Sequence, residues 1–360
     1  MKLNSFSYKN KSWEVKDLEF DNVSLIVGKN ATGKSRSLGA IDLFCKIITQ
    51  KVSLPPDTDW KVSFSKDDGT VIDYHFTTIV ENDNVVVTHE SITIDDKDFL
   101  IRESPDSASL YNTLEQQSQK VYPPANKLVI HVNRDIRKHP YMEDFAHWAE
   151  SSFGFKFASI APNVPFDEQK YDLMTAIDEI PALYKLLGEN NKEKIQEYIQ
   201  DMGFKIEDIQ FREGTPSDFL YIKESGAKDV LPHYELSQGM FRTVALLIFL
   251  EYLISKKKPA TIIIDDLCEG LDYERATKLG QIVFENCRNN SIQLIATSND
   301  MFLMDVIDID YWNILQRKNS IVTSLNPKRN HDIFDEFRFT GLSNFDLLSS
   351  DFIFKSLKHD

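Results

Sequence analysis

Cysteine is scarce in this chain of 360 residues. Cys45, Cys268 and Cys287 fall at no metal-ligand spacing. A cysteine-held metal site is therefore excluded, and the three thiols fit a reduced, cytoplasmic protein. Positive charge is also short: 41 Lys and Arg stand against 56 Asp and Glu, a formal charge of −15. That balance argues against wholesale coating of nucleic acid, whose affinity rests on phosphate neutralisation. A local basic groove, and so contact with DNA, stays open. Long apolar runs are missing too. The longest, Val244 to Leu250, stops at Glu251 and is too short to span a bilayer, so no membrane is expected. Met1-Lys2-Leu3-Asn4 leads into polar residues and not into an apolar signal core. No segment is compositionally disordered, no internal repeat is visible, and no heptad series is sustained. What remains is a globular chain long enough for one or two domains.

The most informative stretch present is Gly28-Lys29-Asn30-Ala31-Thr32-Gly33-Lys34-Ser35. It matches G-x-x-x-x-G-K-[ST], the phosphate-binding loop. Val23 to Val27 reads as a buried strand before it. Leu38, Ile41, Cys45 and Ile48 recur at helical spacing after it, so a helix starts near Lys34. Strand, glycine loop and helix N-terminus make an anion site, with backbone N–H groups and the helix dipole facing phosphate. Lys34 would reach the β- and γ-phosphates of ATP. The Ser35 hydroxyl would ligate Mg²⁺, and Arg36 follows in the same site.

Around this loop the chain changes character several times. Residues 60–101 alternate, with Trp60, Val62 and Phe64, then Ile72, Tyr74 and Phe76, flanking a hairpin signal at Asp67-Asp68-Gly69. They predict a small antiparallel sheet beside the nucleotide. Residues 103–126 are polar and end in Pro123-Pro124, which predicts a loop. Leu128 to Val132 reads as a buried strand. The basic run Asn133 to His139 fits either a solvated surface turn or an anion contact. Residues 141–150 and 167–203 look helical, with a break at Gly188 to Asn191. From Leu236 onward, helices near 239–255 and 273–289 alternate with apolar strands at Thr261–Ile264 and Ile292–Thr297. Late strands near 312–315 and 321–324 precede a helical tail. Such alternation implies a mostly parallel sheet flanked by helices. The expected division is an N-terminal lobe over 1–102, a helical insertion over 103–230, and a C-terminal lobe over 231–360.

Two further motifs belong with the first. Thr261 and three isoleucines, Ile262 to Ile264, deliver Asp265-Asp266 at a strand end, the Walker B form. Asp265 would hold Mg²⁺ through water, opposite Ser35, and Asp266 could orient or deprotonate the attacking water. Taken alone, the two acids could equally cap the next helix. Leu236-Ser237-Gln238-Gly239-Met240 lies just before an apolar helix, with Ser237 28 residues ahead of Asp265. By itself Ser237 could be a routine N-cap.

In this order the motifs resemble those of ABC-class ATPases. Ser237 and Gly239 stand where that class has its signature, and Gly270-Leu271-Asp272 resembles its D-loop. Ser237 lies 202 residues after Ser35, a span far longer than the helical subdomain of a transporter ATPase. The opening Leu18 to Asn30 resembles soluble SMC, RecF and OLD-like ATPases. The Asp265 to Asp272 run, Thr297-Ser298-Asn299-Asp300 and Gly341 to Asp346 resemble compact bacterial AAA-type ATP-binding proteins linked with phage defence. The resemblance covers residues 1–100 and 231–350. It implies an α/β P-loop NTPase of ABC type with an antiparallel β subdomain. It also implies a homodimer closed around ATP, in which Ser237, Gly239 and Asp272 meet the opposite subunit's nucleotide. Three residues depart from the pattern. Ala31 replaces a frequent glycine, Asp266 replaces the usual catalytic Glu, and Asn299 replaces the switch histidine. Glu269 is a second candidate base. Hydrolysis is therefore expected to be slow.

The implied function is an ATP-binding and hydrolysing switch that controls a separately encoded effector, a nuclease or toxin. No HEPN, TOPRIM or HNH-like constellation is visible in the chain itself, and His131, His139 and His147 lack metal-ligand spacing with acids. The alternatives are a RecF- or SMC-like DNA-repair ATPase and a non-hydrolysing ATP-binding scaffold.

Overall fold

A computed structural model describes residues 1–161, 179–214 and 218–349. Its strands are β1 (Lys2–Lys9), β2 (Glu14–Glu19), β3 (Val23–Val27), β4 (Thr58–Ser65), β5 (Val71–Glu81), β6 (Asn84–Ile94), β7 (Lys97–Ser104), β8 (Ser107–Asn112), β9 (Gln117–Val121), β10 (Ser152–Lys156), β11 (Ile206–Arg212), β12 (Phe219–Glu224), β13 (Val230–Pro232), β14 (Ala260–Asp265), β15 (Ile292–Thr297), β16 (Trp312–Lys318) and β17 (Ile321–Leu325). Its helices are α1 (Lys34–Ile48), α2 (Val129–Val132), α3 (Pro140–Glu150), α4 (Ile180–Lys185), α5 (Glu189–Asp201), α6 (Gln238–Lys256), α7 (Tyr273–Asn289), α8 (Met301–Val306), α9 (His331–Arg338) and α10 (Asp346–Ser349).

Among the described residues one sheet of 14 strands runs in the order β10-β14-β15-β3-β16-β17-β2-β1-β4-β5-β6-β7-β8-β9. Its first five strands are parallel. From β1 outward every pairing is antiparallel. The sheet expected over 60–101 is thus continuous with the nucleotide-loop sheet through β1.

The parallel strands are apolar on both faces because helices cover both faces. Val23, Leu25 and Val27 of β3 join one core with Ile262, Ile264, Leu294, Ala296 and the apolar side of α6. Ile26, Ile263 and Ile295 point the other way, into a second core with α1 and the antiparallel strands. Among the described residues one helix, α6, is long and apolar enough to cross a membrane, but most of it is buried inside the protein. It is the central helix of the first core. The antiparallel strands alternate buried and exposed residues, as a one-faced sheet should. Their buried face is aromatic. Phe44 of α1 sits among Trp60, Phe64, Tyr74, Phe76 and Trp148, with centroids 6.0 to 6.4 Å away. The helix behind the phosphate loop is therefore anchored on the antiparallel sheet.

The structure corrects three expectations. Residues 103–126 are not a loop: β8 and β9 form an edge hairpin. The hairpin is polar because β9 is the exposed edge of the sheet. Leu128 to Val132 is not a strand. It holds the short helix α2, since an apolar run of this length does not reveal its period. The Glu90 carboxylate accepts from the N–H groups of Val129 (2.7 Å) and Ile130 (3.4 Å), which a strand would give to a neighbour. The middle segment is also not purely helical. It supplies β10 to the main sheet and a separate three-stranded sheet, β11-β12-β13. The helix expected over 167–203 appears as α4 and α5, and its positions 167–178 lie outside the described residues. Of the two readings of the basic run, the structure shows a turn with an internal partner: Arg134 Nε donates to Glu143 at 2.9 Å.

Candidate nucleotide site

The loop from Gly28 to Ser35 leaves β3 and enters α1. A Cβ on Gly28 would lie 2.9 Å from Thr32 Oγ1 and 3.0 Å from the Leu315 carbonyl oxygen. Gly33 takes a φ of +107°, and a Cβ there would meet Val322 at 3.0 Å. Both positions therefore require glycine. Ala31 also holds a positive φ, 64°, which strains an L side chain. This explains structurally why glycine is the natural choice at that point. The Lys34 ammonium folds back onto the loop, donating to the carbonyls of Gly28 (2.7 Å) and Lys29 (3.3 Å). Burial lowers its pKa, against the opposing pull of Asp266 and Asp265. The lysine thus lies within the field of both acids and is satisfied by carbonyls that a phosphate can outcompete. Arg36 turns away from the loop. Its guanidinium stacks on Trp13 at 4.7 Å and reaches Ser12 Oγ at 3.3 Å.

Strands β3, β15 and β14 end side by side, so their C-terminal loops share one edge. This is where open parallel sheets bind ligands. Asp265 is 5% exposed. Its Oδ1 accepts from Thr297 Oγ1 at 2.7 Å. Its Oδ2 is buried without a hydrogen-bond partner. Asp265 lines a cavity of about 220 Å³ together with Ser35, Asp42 and Lys156. A buried carboxylate oxygen with no donor and an exposed hydroxyl on one cavity make a hard oxygen set, which fits Mg²⁺. Lys156 lies 3.6 Å from Oδ2. A larger cavity of about 650 Å³ opens beside Lys29 and Thr32, floored by Ile314, Leu315 and Ile321.

The loops after β14 and β15 are stitched together. Thr297 Oγ1 accepts from the Asp266 N–H (2.8 Å), and its carbonyl accepts from Leu267 N–H (2.8 Å). Asn299 Nδ2 donates to Asp266 Oδ1 at 3.1 Å. Asp266 itself holds a φ of 54°. Burial raises its pKa, with Asp265 and Glu269 adding to the effect while Lys34 and Lys156 oppose it. The sequence candidates Lys34, Ser35, Asp265, Asp266 and Asn299 therefore meet in one place. Glu269 is exposed nearby and acts on Asp266 through its charge.

Ser237, Gly239 and Asp272 form a second cluster. Ser237 is the exposed N-cap of α6, its hydroxyl accepting from Met240 N–H at 3.4 Å. A Cβ on Gly239 would meet Leu271 at 3.2 Å, so signature and D-loop pack together. Asp272 caps α7 through Arg275 N–H (3.2 Å) and pairs with the Arg275 side chain. Below them, Arg242 of α6 donates to the carbonyls of Ala158 and Ile160, just beyond β10.

Sequence reasoning missed Thr297 as the residue joining the two loops, and it missed Lys156. The first could have been found, because a hydroxyl at the end of a buried strand next to a Walker B strand is a visible signal. Lys156 carries no motif, and only the pairing of β10 with β14 brings it to the site.

Residues 23–305 match a protein family described as "AAA domain, putative AbiEii toxin, Type IV TA system". No curated protein matches the chain. Among solved structures, the chain is similar to an Smc head bound to the C-winged helix domain of ScpA. The identity is 13%, the coverage 92% of this chain and 100% of that one, and the TM-score 0.55. It is also similar to a Pyrococcus furiosus Smc head with an extended coiled coil, bound to the C-terminal domain of ScpA. There the identity is 13%, the coverage 94% and 99%, and the TM-score 0.51. At such identity the likeness establishes the fold alone, that of an Smc head domain.

Proposed function

The chain belongs to that AAA family, and from this premise we propose that it is an ATP-binding and slowly hydrolysing switch that dimerises around ATP. The observation that carries the reading is Asp265. One of its carboxylate oxygens is buried with no hydrogen-bond donor, and the residue lines a cavity shared with Ser35, at the end of a strand close to the phosphate loop. A buried oxygen that no donor satisfies costs folding free energy, whereas Mg·ATP would use it.

In this reading Lys34 leaves the Gly28 carbonyl for the β- and γ-phosphates, and the N–H groups of the loop hold the β-phosphate. Ser35 and Asp265 would hold Mg²⁺, which would supply charge neutralisation on the transferred phosphoryl. Asp266 accepts a proton from the attacking water, and Asn299 fixes the orientation of its carboxylate. Water oxygen bonds to the γ-phosphorus, the bond to the bridging oxygen breaks, and ADP and phosphate leave. The Asp266 carboxylate is one methylene shorter than a glutamate, which supports slow turnover.

Ser237 is exposed, and its hydrogen bond lies within its own helix. That arrangement supports a role for it at the opposite subunit's nucleotide. The family description names a putative toxin and a type IV toxin–antitoxin system, which supports a two-component setting; control of a separate protein effector, in anti-phage defence in the bacterial cytoplasm, is our extension of it. A DNA-repair ATPase of RecF or SMC kind shares the fold, and duplex binding that needs ATP and weakens with salt would favour it.

The test is Ser237→Arg. ATP binding to the monomer should persist, because Lys34, Ser35 and Asp265 are untouched. ATP-driven association, read as molar mass by light scattering, should disappear. Association equal to that of the parent protein would reduce Ser237 to a helix cap. Phosphate release by the parent separates the switch from a non-hydrolysing scaffold.

A further inference from the structure

We propose that Lys156 is a second phosphate-reading lysine: it neutralises Asp265 in the empty site and contacts the γ-phosphate of ATP once metal takes Asp265. The inference rests on the nucleotide-site reading above.

The backbone places Lys156, independently of its rotamer. It is the last residue of β10, and the parallel ladder sets it opposite Asp265. Its side chain is 65% exposed, and its ammonium stands 3.6 Å from Asp265 Oδ2, a contact by charge and not by hydrogen bond. Asp265 Oδ2 is buried and accepts no hydrogen bond, so Lys156 is the cation in contact with it among the described residues. The same cavity holds Ser35 and the carboxylate of Asp42. A Cβ on Gly154, two residues before Lys156, would approach Asp42 Oδ1 to 2.6 Å. Glycine there lets β10 run close to α1, bringing Lys156 to the mouth of the cavity.

Two cations cannot share one carboxylate oxygen without repulsion. Metal arriving at Asp265 displaces the ammonium. The Asp42 carboxylate in the same cavity is already paired with Lys46 at 2.6 Å, which leaves the terminal phosphate, brought there by the loop and Ser35, as the anion for the freed ammonium. An ammonium on a flexible stem suits this exchange, because it makes a point contact in many directions. ADP lacks that phosphate, so the contact separates triphosphate from diphosphate. The residues that follow Lys156 are fastened to α6 by Arg242, on the helix capped by Ser237. The lysine that reads the γ-phosphate therefore sits at the foot of the signature helix.

The experiment measures ATP and ADP affinity by titration calorimetry, each with Mg²⁺, for the full chain. The variants are Lys156→Met, Lys156→Gln, Lys156→Arg and, as a control, Lys34→Ala. Removing one charged contact to phosphate should weaken ATP binding by about tenfold while leaving ADP within about twofold. Lys156→Arg should restore the preference for ATP. Circular dichroism checks folding, and Lys156→Gln replaces Lys156→Met should that variant not fold. If ATP and ADP weaken equally, or neither changes, Lys156 only neutralises Asp265 and the inference fails, while the nucleotide site stands. If the parent protein binds neither nucleotide, the nucleotide reading fails and carries this inference with it. Loss of both nucleotides in Lys34→Ala alone shows that the assay reads the loop.

Discussion

Two of the three carboxylates buried among the described residues, Glu251 of α6 being the third, divide this molecule. Glu90 lies in the antiparallel half and Asp265 in the parallel half, and both are at least nine-tenths buried. Glu90 is surrounded by partners. It accepts from Tyr74 Oη (3.0 Å) and from Val129 and Ile130 N–H, and Arg102 lies 3.6 Å away. Arg102 in turn donates to the carbonyls of Lys127 and Pro124. Burial still pushes the Glu90 carboxyl up to about 7. Asp265 has one hydrogen-bonded oxygen and one without a donor, facing a cavity. The first network closes on itself and fastens α2 to the sheet. The second is left open. An oxygen without a donor does not by itself mark a site, since Glu251 in the core helix α6 has one as well; what sets Asp265 apart is the cavity it shares with Ser35.

Breaking the closed network should have the largest effect. Glu90→Ala leaves Arg102 as a buried charge without its counterion, and stability should fall by about 3–5 kcal/mol in chemical denaturation. The folded fraction should keep its ATP affinity. An unchanged denaturation midpoint would mean that Glu90 is not structural.

Asp266→Asn comes next, as a change in the open region that spares stability. Turnover should fall about a hundredfold, and the ATP-bound dimer should accumulate. The pH profile sharpens the assignment. Asp266 must be ionised to accept a proton, and its pKa is raised by burial and by neighbouring acids. The acidic limb of turnover should therefore lie above the ordinary carboxylate range and vanish in Asp266→Asn. Stability runs the other way. A raised pKa in the folded state contributes stability that is complete below the unfolded value and is lost as pH rises through the folded value. The ligand-free protein should thus lose stability at Asp266 over the same interval in which activity appears. A limb that persists in Asp266→Asn would assign the proton acceptor elsewhere, with Glu269 the first candidate.

The smallest effect is at Ala31. Replacing it by glycine relieves the strain of a positive φ, partly offset by glycine's greater unfolded entropy. The net gain should be under ~1 kcal/mol, read as a small rise in thermal midpoint. A loss would show that Ala31 is not strained.

How much of this was legible beforehand follows the same division. The places of Gly28 to Ser35 at a strand–loop–helix junction, of Asp265-Asp266 at a strand end and of Ser237 at a helix start could be read because each rests on a few neighbouring residues. The parallel strands could be read because burial on both faces leaves unbroken apolar runs, such as Thr261 to Ile264. The edge hairpin β8–β9 could not, since an exposed edge is polar and looks like a loop. Leu128 to Val132 was misread because its conformation is decided by Glu90, 39 residues from Val129. Lys156 was invisible for the same reason, as its partner lies across a parallel ladder, in register with Asp265.

The most direct measurement is denaturation of Asp265→Asn beside the parent protein, each with and without Mg·ATP. Asparagine keeps the shape and the Thr297 hydrogen bond while removing a buried, half-satisfied charge. The account predicts that ligand-free Asp265→Asn is at least as stable as the parent and loses the stabilisation that Mg·ATP confers. A variant that unfolds as Glu90→Ala does, or that keeps the full stabilisation by Mg·ATP, would contradict it.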